Sequence, residues 1–93
     1  MTDNTQELIE LRDMIESIDK RIIVLLSARL SLAEDFVKVK RALGITTQDK
    51  DRERILHQLY ERWAIEREVE PDLVHDIFNE IIAVSRRRQD DIK

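Results

Sequence analysis
The chain has 93 residues, enough for one domain spanning residues 1–93, with 42% apolar and 39% charged residues and a net charge of −4. It has no cysteine, and its only histidines are His57 and His75, so disulfide frameworks and the common zinc patterns are excluded. The acidic balance argues against nucleic acid as the main partner, and no apolar run reaches transmembrane length or makes the opening MTDNTQELIE a signal peptide. A soluble, cytoplasmic protein is expected.

Gly44 and Pro71 are the only strong helix breakers, and they divide the chain into three helical segments. The first runs from about residue 6 to residue 43. Its apolar positions Leu8, Leu11, Ile15, Ile18, Ile22, Leu25, Leu32, Phe36, Val39 and Leu43 alternate in steps of three and four, apart from one polar seam position between Leu25 and Leu32. Gly44 follows where a C′ glycine belongs. About 38 residues at 1.5 Å each span roughly 57 Å. A compact domain of this length has a radius of gyration of about 12 Å, hence a diameter near 30 Å. The helix therefore overhangs its own domain, and its apolar seam needs a cover. A second copy is the simplest one, which predicts an all-α, intertwined homodimer built on paired long helices.

The second helix is predicted to open at residues 46–49, with Thr46 or Thr47 as cap and Asp49 and Asp51 complementing the helix dipole. Ile55, Leu56, Leu59 and Trp63 give it an apolar stripe, and it frays within residues 66–70. Pro71 suits the first position of a third helix, which is expected to bury Val74, Ile77, Phe78, Ile81 and Ile82 and to continue to about Gln89.

Several polar residues interrupt these apolar faces. Arg29 occupies the seam position between Leu25 and Leu32, where a charge must be paired or bound to an anion. Lys40 follows eleven residues later, only about 20° around the helix and roughly 16 Å along it. The two cations could close on a small anion from two ends, or pair with carboxylates in a solvated face. On the third helix, Ser85 and Gln89 continue the line of Ile81 as polar groups, a second binding face or a polar helix end. Arg86, Arg87 and Arg88 read as cations favoured at a helix C-terminus, His57 and His75 as structural, and Tyr60 and Trp63 as packing.

The chain resembles the all-helical chorismate mutases of the short bacterial type. The likeness lies in Leu11-Arg12-Asp13-x-Ile15-x-x-Ile18-Asp19, in Leu25-Leu26-Ser27-Ala28-Arg29 with Leu32-Ala33 and Lys38-x-Lys40, in Asp49-x-x-Arg52-Glu53-Arg54, and in Ile81-Ile82-x-x-Ser85-x-x-x-Gln89. It runs ungapped from about Leu8 to Gln89. The resemblance implies rearrangement of chorismate to prephenate, in aromatic amino acid biosynthesis, with no cofactor and no metal. It implies that Arg12 reaches into the partner's site to hold a carboxylate, and that Arg29, helped by Ser85, holds one in its own. Lys40 and Gln89 would donate to the ether oxygen of the breaking bond. Glu53, with the backbone near Asp49, would accept the ring hydroxyl, and Arg52 would order that corner and add positive potential. The segment 41–48 is less distinctive.

Such a reaction moves no proton, so the absence of a nucleophile–base pair or phosphate loop suits it. It needs selection of the compact conformer of a dianion and stabilisation of charge growing on the ether oxygen. Two guanidinium forks match two carboxylates. Isochorismate–pyruvate lyases share the scaffold but tend to lack an acid at the position of Glu53. A 4-amino-4-deoxychorismate mutase is harder to separate, because a carboxylate receives an ammonium as readily as a hydroxyl. A non-catalytic helical dimerisation module would need none of these polar residues together.

Overall fold
A computed structural model describes residues 3–45 and 50–91. The described residues form three helices: α1 (Asn4–Leu43), α2 (Lys50–Glu66) and α3 (Pro71–Asp91). The all-α, three-helix expectation holds. The boundaries differ by a few residues because local capping sets them. Asp3 caps α1 by accepting the amide of Thr5 at 3.0 Å, so the helix starts before residue 6. Gly44 is left-handed (φ 71°), and the amides of Gly44 and Ile45 bond the carbonyls of Arg41 and Lys40. The predicted start of α2 at residues 46–49, with Asp49, lies outside the described residues.

The α2–α3 connection repeats this capping geometry without a glycine. Glu68 takes φ 57°, its amide bonds the carbonyl of Ile65, and the amide of Val69 reaches the carbonyl of Ala64 at 2.9 Å. Pro71 opens α3 as expected, and α3 runs on to Asp91, two residues past Gln89.

α3 packs against both α1 and α2, while the backbones of α1 and α2 do not approach each other closely. The packed centre is small: Ala33 and Val37 of α1, Tyr60 and Ala64 of α2, and Ser85 of α3 are buried. Only the C-terminal half of α1 takes part. The molecule measures 65 × 27 × 15 Å with a radius of gyration of 18.0 Å, against about 12 Å for a globule of this length. The overhang is therefore real. Every residue from Asp3 to Leu25 is exposed, including Leu8, Leu11, Ile15, Ile18, Ile22 and Leu25 of the seam.

Burial within one chain also departs from the periodicity on the shorter helices. Ile77, Ile55 and Trp63, read as core from their spacing, stand 47%, 44% and 49% exposed. Tyr60 and Ala64 are buried on α2 instead. Helical spacing identifies an apolar face but not which part of it the same chain covers. No helix among the described residues is long and apolar enough to cross a membrane.

Candidate active site
The three helices surround one cavity of about 510 Å³, a size that suits a small molecule. α1 contributes Arg29, Leu32, Ala33, Phe36 and Lys40. α2 contributes Arg52, Glu53 and Leu56, and α3 contributes Ile82, Ser85, Arg86 and Gln89. Six of the eight residues singled out in the sequence thus share one space: Arg29, Lys40, Arg52, Glu53, Ser85 and Gln89.

Helix geometry explains the convergence. Residues 29, 33, 36 and 40 follow at steps of four, three and four, one continuous face of α1. On α3, residues 82, 85, 86 and 89 fall at i, i+3, i+4 and i+7, again one face. Glu53 sits in the first turn of α2, where the positive end of the helix favours a carboxylate.

Arg29 is held from two sides. Its Nη1 donates to Ser85 Oγ at 3.3 Å and its Nη2 to Tyr60 Oη at 3.5 Å. The guanidinium lies 5.9 Å from the centroid of the Phe78 ring, and that ring stacks on Tyr60 with centroids 4.0 Å apart. Ser85 donates its own hydroxyl proton to the carbonyl of Ile81 at 2.9 Å. Its oxygen is thereby turned to accept from Arg29, so in this arrangement Ser85 orients the arginine. Lys40 Nζ lies 5.9 Å from the Phe36 ring. Glu53 forms an ion pair with Arg86 across the α2–α3 junction.

Two of the sequence-identified residues are not among the described residues of the lining. Asp49 lies outside the described residues. Arg12 is exposed on the overhang of α1, seventeen residues before Arg29, or roughly 25 Å along the axis. It cannot reach the cavity of its own chain.

Three residues carry more than their sequence reading gave them. Arg86 lines the cavity and pairs with Glu53, whereas Arg87 and Arg88 are exposed as expected for a helix end. The i, i+3, i+4, i+7 register with Ile82, Ser85 and Gln89 was the available signal. Tyr60 packs, as expected, and also bonds Arg29. Phe36 belongs to the seam by spacing, yet it stands exposed beside the cavity. His57 and His75 meet outside the cavity lining, Nδ1 to Nδ1 at 2.8 Å, as one inter-helix hydrogen bond. Among the described residues, no three His, Cys, Asp or Glu side chains converge as metal ligands.

Among the described residues, the cavity lining carries four cationic side chains (Arg29, Lys40, Arg52 and Arg86) and one carboxylate, Glu53. Such a pocket suits a small, multiply charged anion. Residues 11–90 match the family described as chorismate mutase type II. The chain is similar to a chorismate mutase of Methanocaldococcus jannaschii, with 31% identity over 84 residues, 90% of this chain and 85% of that protein. It is also similar to the T-protein of Enterobacter agglomerans, with 32% identity over 85 residues, 91% of this chain but 23% of that longer protein. With its matched segment reaching into all three helices and taking in every described residue of the cavity lining, the chain belongs to the type II chorismate mutase family.

Proposed function
We propose that this cavity is where the chain, an isomerase of the chorismate mutase family, rearranges chorismate to prephenate in aromatic amino acid biosynthesis. The observation that carries the reading is the gathering of Arg29, Lys40, Arg52 and Arg86 around one small cavity built by three helices. Chorismate is a flexible dianion with an enol ether and a ring hydroxyl. Arg29, fixed by Ser85 and Tyr60, holds one carboxylate. Lys40 and Gln89 donate to the ether oxygen, whose negative charge grows as the C–O bond breaks. Glu53 accepts the ring hydroxyl, and Arg52 adds positive potential. All of these donors lie on helices that pre-set their positions, and the reaction needs conformer selection and electrostatics only.

The second carboxylate is assigned to Arg12 of a second copy. The overhang of α1 exposes a continuous apolar seam and carries Arg12 away from its own cavity. Two overhangs packed around a two-fold axis would cover the seam and bring each Arg12 toward the other chain's cavity. The unit proposed is therefore a homodimer with two shared sites, each chain a single domain.

The test incubates the purified chain separately with chorismate and isochorismate and identifies the products. Prephenate from chorismate is expected. Pyruvate released from isochorismate, with no prephenate from chorismate, would make the chain a lyase. No turnover of either would overturn the enzymatic reading.

A further inference from the structure
Arg86 has a contact that the cationic end of a helix does not require. Its guanidinium reaches across to α2 and pairs with Glu53, 33 positions earlier in the chain. Both side chains line the cavity and both are partly withdrawn from solvent, at 38% exposure for Arg86 and 27% for Glu53. The Arg86 Nε–H is buried and has no hydrogen-bond partner. The guanidinium is therefore not saturated by the framework, and among the described residues its charged contact is to Glu53. Its neighbours Arg87 and Arg88 point to solvent and show what an ordinary helix-end cation does here.

The pairing changes what Glu53 can receive. A lone carboxylate accepts a hydroxyl or an ammonium, and simple attraction favours the ammonium. With Arg86 on it, the carboxylate is already neutralised, and Arg52 stands in the same lining. A ring ammonium would meet the Arg86 guanidinium as a like charge at the same carboxylate. A ring hydroxyl has no such conflict: it donates to the free lone pairs of Glu53 and can accept from a guanidinium N–H, whereas an ammonium only donates. We propose that Arg86 is a specificity-determining residue that, by pairing with Glu53, sets the site to take a ring hydroxyl and to reject a ring ammonium. The inference rests on the reading of the cavity as a chorismate site and names its substrate class more finely. A like charge about 6 Å away at an effective dielectric near 20 discriminates on the order of 100-fold.

The experiment measures kcat/KM for chorismate and for 4-amino-4-deoxychorismate, whose amine is protonated at neutral pH, on the parent chain and on Arg86→Met and Arg86→Lys. The ratio of the two values does not depend on the fraction of folded enzyme. The parent should favour chorismate. Arg86→Met should move the ratio at least tenfold toward the amino substrate, and Arg86→Lys, which keeps the charge, should hold most of the parental preference. An unchanged ratio in Arg86→Met would overturn the inference, as would an equal loss of both activities or a parent chain that uses both substrates alike. If the parent turns over neither substrate, the functional reading itself fails, a result distinct from an unchanged ratio on an active enzyme.

Discussion

Replacing Ile18 by glutamate separates the dimer from the single chain sharply. In one chain Ile18 is 50% exposed at the middle of the overhanging seam. Glutamate is a good helix former, so at an exposed helical position the change should alter stability by no more than about 0.5 kcal/mol. In a two-fold pair the balance is different. Full burial of an isoleucine is worth about 1.5–3 kcal/mol, so covering its exposed half yields roughly 0.8–1.5 kcal/mol per copy. The two copies together contribute about 1.5–3 kcal/mol, and losing that weakens association by roughly 10- to 150-fold at 1.4 kcal/mol per decade. The two introduced carboxylates, desolvated near the axis without partners, add several kcal/mol more. Sedimentation equilibrium over a dilution series, with circular dichroism on the same samples, reads the outcome. The parent chain should sediment at twice the chain mass and Ile18→Glu at the single mass, with activity lost together with the dimer, as the proposed supply of Arg12 in trans requires. A variant with parental mass and parental activity would refute the seam as the interface.

Lys40→Ala should lower kcat by about 10²–10³ and change substrate binding far less, since the ether oxygen gains its charge mainly in the transition state; steady-state kinetics showing only a raised KM would reassign Lys40 to a carboxylate. Gln89→Glu should acquire an acidic optimum that the parent lacks. The amide donates at every ordinary pH, while the new carboxyl donates only when protonated, below a pKa that starts near 4.3, rises with burial and falls beside Lys40. A pH–rate profile identical to the parent's, at near-parental rate, would remove Gln89 from the reacting oxygen. Glu68→Gly relieves a left-handed residue at the end of α2 and should stabilise the fold by up to about 1 kcal/mol, a rise of roughly 4–8 °C in Tm; an unchanged or lower Tm would show that the φ 57° turn carries no strain.

Much of this arrangement was legible in the sequence. Two breakers and one periodicity give three helices, and the length of the first predicts an overhang that the 65 Å extent matches. The anomalous polar positions on otherwise apolar faces led to Arg29, Lys40, Ser85 and Gln89, and the family resemblance added Arg52 and Glu53; all six share the cavity. What remained hidden depends on tertiary placement. Arg86 sits in a run of three arginines; its register with Ile82, Ser85 and Gln89 marks the face it shares, but its pairing with Glu53 depends on the docking of α3 against α2. Ile77 and Trp63 satisfy the helical spacing, yet one chain leaves both about half exposed. The pattern of a seam does not say whether its cover lies in the same molecule. Capping at Asp3 and the left-handed Glu68 turn on single side-chain and backbone geometries, which periodicity does not encode.

The shared site is tested most directly by mixing Arg12→Ala chains with Arg29→Ala chains after unfolding and refolding them together. Each variant alone should be nearly inactive, because every site in its homodimer lacks one of the two arginines. In the mixed dimer, one site combines the intact Arg29 of one chain with the intact Arg12 of the other, and the second site lacks both. Random pairing places half of the chains in mixed dimers, each with one of its two sites intact, so the mixture should regain about a quarter of the parental activity. A mixture no more active than the two variants measured apart, with mixed dimers shown to be present, would contradict a site assembled from two chains.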